Sequence, residues 1–160
     1  MGQLYAEHAQ AVLAVVLALR GSRAGPEDVM QEAFMRAHQR WGEVSAMERP
    51  ELWVQRVALN LATSRLRRLG SEARALARLG DDVAPLTETF TQDESFWELV
   101  RRLPVKQARV VALRYAADLT VAEVAQVLGV AEGTVKAQLH TARQRLARLL
   151  GAADQQEQPR

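Results

Sequence analysis

The sequence contains no cysteine, and its three histidines, His8, His38 and His140, lie far apart. Without thiols there is no disulfide, no cysteine zinc site and no thiol nucleophile, and histidines this far apart do not form a local metal motif. No nucleophile and base stand in a recognisable constellation. The sequence therefore predicts a protein that is not an enzyme and that uses no metal or other cofactor.

Long apolar runs are also lacking. The longest, over residues 11–19, is about half of the ~20 residues that a bilayer span needs. It also lacks the basic segment and small-residue cleavage site of a signal peptide. We therefore expect no membrane insertion and a cytoplasmic location.

Aromatic residues make up only 5% of the chain, and alternating β-branched residues are scarce. Apolar residues recur instead at helical spacing almost everywhere, which predicts an all-α fold. A first helix is predicted from about residue 4 to 19, ended by Gly21. A second begins at Pro26, whose ring suits a first helical turn, and a third runs from Pro50 to about residue 69.

Lysine is scarce: 19 of the 21 basic residues are arginine. Guanidinium groups suit phosphate and base-edge contacts, although a genome rich in G and C favours arginine codons as well. The net charge is +2 over residues 1–70, −5 over 71–98 and +5 over 99–160. This pattern predicts two basic helical domains, 1–70 and 96–150, joined by a flexible acidic linker, 71–95, with a disordered tail at 151–160.

Two helix faces in the first domain are polar. The second helix presents an acidic and amide face opposite its apolar side, formed by Asp28, Gln31, Glu32 and Met35. The third helix is apolar over most of its surface, yet a narrow polar stripe runs along it through Arg56, Asn60, Thr63 and Arg67. On periodicity alone this stripe is either the solvent side of a core helix or a ligand surface.

The second domain contains a strong local signal for the start of a helix. Thr120-Val-Ala-Glu123 fits the capping box, and Gly129 follows the short helix that it starts. A longer helix is predicted over residues 132–150. Two helices joined by a tight glycine turn, the second long and basic, form a helix-turn-helix. The polar side of the second helix carries Lys136, Gln138, His140 and Arg143.

These residues resemble a known family. Pro26-Glu-Asp-Val-Met-Gln-Glu-Ala-Phe-Met-Arg-Ala and Trp53-Val-Gln-Arg-Val-Ala-Leu-Asn-Leu-Ala-Thr-Ser-Arg-Leu-Arg-Arg resemble region 2 of the extracytoplasmic-function (ECF, sigma-70 family group IV) sigma factors of bacterial RNA polymerase. Leu113-Arg-Tyr and Leu119-Thr-Val-Ala-Glu-Val-Ala-Gln-Val-Leu-Gly-Val-Ala-Glu-Gly-Thr-Val-Lys resemble region 4. The two motifs occur in the family's order.

The resemblance implies a role for each polar surface. It implies binding to the β′ clamp helices of core RNA polymerase by Asp28, Gln31, Glu32 and Met35. It implies that residues 42–49 hold a flipped base of the minus-ten element. The single-stranded non-template DNA would contact Arg56, Asn60, Thr63, Arg65, Arg67 and Arg68. The major groove of the minus-thirty-five element would receive Thr134, Lys136, Gln138, His140 and Arg143.

The implied partners are thus core RNA polymerase, through its β′ clamp helices and β flap, and promoter DNA, with an anti-sigma factor as a further candidate. The sequence departs from the family where Ala131 replaces a capping serine, and where Ala137, Gln138 and Thr141 replace the Ser-Arg pair and the arginine that are common there. These departures weaken the expected minus-thirty-five contacts. Residues 99–150 alone would also fit a one-component transcriptional regulator, and a helical adaptor that binds only protein is a third alternative.

Overall fold

The computed structural model describes residues 1–21, 25–77 and 92–156, and every element in this part of the chain is helical. The prediction of an all-α fold is confirmed. Most of the predicted acidic linker, residues 78–91, lies outside the described residues. The helices are α1 (Gly2–Arg20), α2 (Pro26–Gln39), α3 (Trp41–Val44), α4 (Pro50–Ala77), α5 (Gln92–Arg101), α6 (Val105–Val111), α7 (Val121–Leu128) and α8 (Glu132–Gln156).

The starts and ends of the first helices follow from their sequence. Gly21 follows α1 with φ 71°, a conformation that costs glycine little, and its N–H donates to the Leu17 carbonyl at 2.7 Å. Pro26 occupies the first turn of α2, with Glu27 and Asp28 at the positive end of the helix dipole. Gly21 thus ends α1 and Pro26 begins α2, as the sequence predicts.

Two differences from the predicted elements occur in the N-terminal half, which comprises α1–α4. Helix α4 continues to Ala77, past the predicted end near residue 69. The alanines, leucine, arginine and glutamate after Gly70 favour the helix, and their propensities outweigh the cost of about 1 kcal/mol for one glycine. The predicted loop at 42–49 contains the end of the single-turn helix α3, which buries Val44 completely.

The C-terminal half, which comprises α5–α8, contains the predicted helix-turn-helix. The Thr120 hydroxyl accepts the backbone N–H of Glu123 at 3.2 Å, and the Glu123 carboxylate accepts the backbone N–H of Thr120 at 2.8 Å. This reciprocal capping box starts α7. Gly129 then turns the chain toward α8 in the left-handed conformation, φ 68° and ψ 38°.

Two helices of the C-terminal half are longer than predicted. Helix α8 continues to Gln156, past the predicted end at residue 150 and into the predicted disordered tail. Helix α5 begins at Gln92, inside the predicted linker. The alanines and glutamines after Gly151 favour continuation of α8.

A π-helical turn, Ala112–Ala116, follows α6. Hydrophobic periodicity does not reveal such a turn, because one extra residue in a single turn leaves no repeat to detect. The turn buries Leu113 completely and leaves Tyr115 exposed beside α8. The chain leaves it through Asp118, which has a positive φ of 53°.

The two halves share one hydrophobic core. Helix α1 packs against α2 and α4, and also against α5 and the π-helical turn, while α4 contacts α7. Val12, Val15 and Val16 of α1 are completely buried, because helices of both halves surround this segment. Within the described residues, no helix combines the length and hydropathy needed to cross a membrane.

Candidate nucleic-acid and polymerase interfaces

The outer face of α8 is polar and basic. Val135, Leu139 and Ala142 are buried on its inner side, so the residues between them point outward. Of the five residues predicted to contact the minus-thirty-five element, Gln138 is partly buried and four are exposed, namely Thr134, Lys136, His140 and Arg143. The helix-turn-helix thus presents a basic helix to solvent.

Arg143 of α8 bonds to Tyr115, which belongs to the same half of the protein. Its Nε and Nη2 donate to the Tyr115 hydroxyl at 3.1 Å and 2.6 Å, and its guanidinium lies 5.9 Å from the centre of the Tyr115 ring. Arg114 lies over the same ring at 5.6 Å. The π-helical turn brings Tyr115 to this position. Sequence reasoning missed this tyrosine, although it stands in the Leu113-Arg-Tyr motif.

The polar stripe on α4 divides into exposed and buried members. Arg56 and Asn60 are exposed. Thr63 is buried, with 8% of its surface exposed, and its hydroxyl donates to the Leu59 carbonyl at 2.7 Å. Because the hydroxyl is bonded to the backbone of its own helix and the side chain is buried, Thr63 is not presented to solvent. Arg68 is exposed, and the side chain of Arg67 lies outside the described residues.

The acidic and amide face of α2 is accessible. Asp28, Gln31 and Met35 are exposed, and Met35 is exposed over 55% of its surface. Glu32 is partly buried because it bridges two helices: it accepts from Arg36 at 2.6 Å and from Arg65 of α4. A predicted polymerase-binding carboxylate and a predicted DNA-binding guanidinium therefore form one ion pair.

An open pocket lies where residues 42–49 meet α4. Its lining includes Met47, Arg49, Trp53 and Arg56 from the N-terminal half, and Gln126 from α7. The aromatic ring and the apolar side chains suit an unstacked base, and the lining also carries two guanidinium groups and the carboxylate of Glu48. The C-terminal half therefore borders the site that the family resemblance assigns to a flipped base.

Among the residues that the structure describes, four arginines connect the two halves. Arg56 donates from Nε to the Val127 carbonyl at 2.7 Å and from Nη2 to the Gln126 carbonyl at 2.5 Å. Arg49 donates to Glu123 at 2.5 Å, and Arg109 to the Asn60 amide oxygen at 3.0 Å. Arg101 reaches the Leu17 and Ala18 carbonyls at 3.5 and 3.4 Å.

Several charged groups at or near these contacts have shifted pKa values. The hydrogen bond from Arg49 lowers the pKa of Glu123, and the backbone N–H of Thr120 adds to the effect. Hydrogen bonds to Glu123 and Glu51 raise the pKa of Arg49. Burial, and then the charge of Arg65, lower the pKa of Arg20. The ion pair between Arg49 and Glu123 thus favours the charged form of both groups.

The fold and these surfaces define a class of protein: in its described residues it is all-helical, and its helix-turn-helix presents a basic helix to solvent. Sigma-70 region 2 matches residues 4–72, and sigma-70 region 4 matches residues 93–146. The ECF RNA polymerase sigma factor SigL of Mycobacterium tuberculosis is 34% identical over 152 residues, which cover 89% of this chain and 84% of SigL. The chain belongs to the ECF family of RNA polymerase sigma factors.

A second relative agrees with this assignment, and two solved structures share the fold. SigM of Mycobacterium tuberculosis, another ECF sigma factor, is 38% identical over 128 residues, or 78% of this chain, and the matched part is 64% of the length of SigM. The sigma factor RpoE, solved with the anti-sigma factor NepR from Bartonella quintana, has a TM-score of 0.72 at 23% identity, covering 94% of this chain and 96% of RpoE. CnrH, solved with the cytosolic domain of CnrY, has a TM-score of 0.67 at 24% identity, covering 94% and 87%. At these identities the two structures establish a shared fold.

Proposed function

We propose that the protein binds core RNA polymerase and directs promoter-specific transcription initiation by recognising minus-thirty-five and minus-ten elements. The observation that carries the proposal is the exposed basic face of α8, in a chain that belongs to the ECF sigma factor family. On this proposal the protein catalyses no reaction itself, needs no cofactor and acts in the cytoplasm.

The domain predicted at residues 96–150, within the C-terminal half, would read the minus-thirty-five duplex. Lys136 and His140 are exposed on the outer face of α8, and Thr134 is exposed two residues before Lys136. In this geometry side chains of the second helix reach base edges in the major groove, and a good bidentate contact discriminates by about 1–3 kcal/mol. Arg143 would act beside them, in the orientation that Tyr115 gives it.

The domain predicted at residues 1–70, within the N-terminal half, would hold the separated minus-ten strand. Arg56 and Asn60 offer a guanidinium and an amide from one face of α4. Arg65, which is paired with Glu32, and the further arginines Arg67 and Arg68 would add positive charge later in the helix. Thr63 would contribute only after a change in its side-chain orientation. The pocket beside Trp53 would receive one unstacked base.

Core RNA polymerase would bind at α2. The exposed Met35 offers an apolar contact beside Asp28 and Gln31, a mixture suited to a partner helix with basic and apolar residues. The proposed polymerase contacts are the β′ clamp helices for α2 and the β flap for the C-terminal half. An anti-sigma factor is a further proposed partner, since RpoE and CnrH were each solved with a bound partner protein.

Run-off transcription with purified core RNA polymerase and a pool of genomic promoters tests the proposal. We expect new, promoter-specific start sites that require this protein. A stand-alone repressor would instead shift duplex DNA without polymerase, and a protein-only adaptor would be insensitive to loss of Lys136. Absence of any specific start site would overturn the proposal.

A further inference from the structure

The Tyr115 hydroxyl occupies one edge of the Arg143 guanidinium. It accepts the N–H groups of Nε at 3.1 Å and of Nη2 at 2.6 Å. A guanidinium is a rigid planar fork of N–H donors, and these two donors form its side edge. The N–H groups of Nη1 and the remaining N–H of Nη2 form its end edge. Within the described residues no other group bonds Arg143, which is exposed, so its end edge is accessible to a ligand.

Tyr115 orients Arg143 without cancelling its charge. Other arginines of the chain, such as Arg40 and Arg65, are paired with glutamates. A phenol hydroxyl is a neutral acceptor, whereas a carboxylate in the same place would form an ion pair. The guanidinium also lies 5.9 Å from the centre of the Tyr115 ring, within the range of cation–π attraction. Arg143 is therefore held in one orientation and keeps its full positive charge for a nucleic acid.

The π-helical turn supports Tyr115 from below. The turn buries Leu113 completely and leaves Tyr115 exposed over 46% of its surface. Arg114 lies 5.6 Å from the centre of the same ring and pairs with Asp118 at 3.5 Å. Single π-helical turns are frequent at functional sites. Here the turn directs the tyrosine hydroxyl toward α8, where it meets Arg143.

Arg143 lies on the proposed DNA face of α8. Lys136, His140 and Arg143 follow at helical spacing and are all exposed. At a rise of 1.5 Å per residue, Arg143 lies about 10 Å along the helix from Lys136. The end edge of a guanidinium offers two parallel N–H groups to a bidentate acceptor. A duplex provides two such acceptors, namely O6 and N7 of guanine in the major groove and the oxygens of a phosphate.

We propose that Tyr115 is a positioning residue of the minus-thirty-five surface, which holds Arg143 so that its end edge meets a bidentate acceptor of the duplex. This inference rests on the proposed function and names the ligand chemistry of that site. Because the arginine is ordered before DNA arrives, binding costs less side-chain entropy. Tyr115 acts through Arg143 and does not itself contact DNA. Loss of the hydroxyl should therefore matter only while Arg143 is present.

A double-mutant cycle with the full chain tests this coupling. The probe is the fluorescein-labelled duplex that the wild type enriches most from a pool of 20-base-pair duplexes with randomised central pairs. Fluorescence anisotropy measures affinity at a temperature at which circular dichroism shows every variant to be folded. We expect Tyr115→Phe to weaken binding about threefold to tenfold and to have almost no effect in an Arg143→Ala background. Tyr5→Phe, the same chemical change in α1, is the matched control and should bind like the wild type.

Sequencing and salt dependence distinguish the two acceptors. The pool is enriched in parallel by the wild type and by Tyr115→Phe, and both products are sequenced. If Arg143 reads guanine, the variant should lose preference at one base pair and keep the salt dependence of the wild type. If Arg143 binds a phosphate, the base preferences should stay the same. The slope of log affinity against log salt concentration should then become shallower by up to about one.

Two results would overturn the positioning role. One is a Tyr115→Phe variant that binds like the wild type. The other is an equal loss of affinity in the Arg143→Ala background, which would mean that Tyr115 contacts DNA itself or acts only on the fold. Coupling between the two residues in a chain that yields no promoter-specific start would support the positioning role and contradict the proposed function. Specific starts without coupling would support the proposed function and refute the positioning role.

Discussion

Nε of Arg56 donates a 2.7 Å hydrogen bond to the backbone carbonyl of Val127, which lies 71 positions further along the chain. The same guanidinium bonds the Gln126 carbonyl. The family resemblance assigns this arginine to promoter DNA, whereas in the structure its two hydrogen bonds join α4 to the last turn of α7. The stability of α7, and of its cap at Thr120, therefore affects both halves.

Thr120→Ala should destabilise the protein by about 1 kcal/mol, because the alanine cannot accept the backbone N–H of Glu123 at the start of α7. Chemical denaturation followed by circular dichroism measures this loss. Thr120→Ser keeps the hydroxyl and should lie close to the wild type. A serine variant as unstable as the alanine variant would show that the methyl group, and not the cap, is responsible.

The pKa of Glu123 lies below its usual 4.5 because Arg49 and the Thr120 N–H stabilise the carboxylate. The stabilisation is therefore fully present above about pH 4.5 and is lost as the pH falls through the lowered pKa. The free energy of unfolding of the wild type minus that of Glu123→Gln should be constant from pH 7 to 5 and should shrink below pH 4.5. Because other carboxyl groups cancel in this difference, a pH-independent difference would contradict the assignment.

Tyr115→Phe should cost about 1 kcal/mol of stability, because the phenylalanine keeps the ring over Arg143 but removes the hydroxyl that accepts two of its N–H groups. Thermal unfolding measures the loss. Tyr5→Phe is the matched control: its ring packs on Phe34 at a centroid distance of 4.8 Å, and we expect a smaller effect. Equal losses in both variants would show that the Tyr115 hydroxyl contributes no more to stability than the Tyr5 hydroxyl does.

The two proposed binding surfaces should be separable by mutation. Asp28→Ala with Gln31→Ala should abolish binding to core RNA polymerase, because both side chains are exposed on α2. Lys136→Ala with His140→Ala should leave polymerase binding intact and reduce promoter use about tenfold. Co-sedimentation with core polymerase and run-off transcription measure the two effects. An equal loss of polymerase binding in both double variants would refute this division.

Because the halves share one core, the described helices should unfold together. Leu59 of α4 and Leu113 of the π-helical turn are both completely buried, and alanine at either position should cost about 3 kcal/mol. Each variant should shift a single denaturation transition, measured by circular dichroism and by tryptophan fluorescence. Leu150→Ala, at a position that is 45% exposed, should have little effect. Two separate transitions would contradict a shared core.

Much of the fold was predictable from local signals. Pro26, Gly21, Gly129 and the Thr120–Glu123 capping box act within a few residues of their own position, so their effects on helix ends can be read directly from the sequence. Hydrophobic spacing likewise predicts the buried and exposed faces of α2 and α8. The π-helical turn, the extension of α4 to Ala77, the start of α5 at Gln92 and the extension of α8 to Gln156 are the exceptions, because they depend on packing and on small differences in propensity.

The sequence alone determined the helices, the helix-turn-helix and the family to which the chain belongs. Only the tertiary structure decided what the polar residues contact: Arg56 meets helix-end carbonyls, Glu32 meets Arg65, and Arg143 meets Tyr115. Helical periodicity tells which side of a helix is polar, but it carries no information about which group, far along the chain, comes to lie against that side. The contact between the halves depends on such pairings, and for that reason it was visible only in three dimensions.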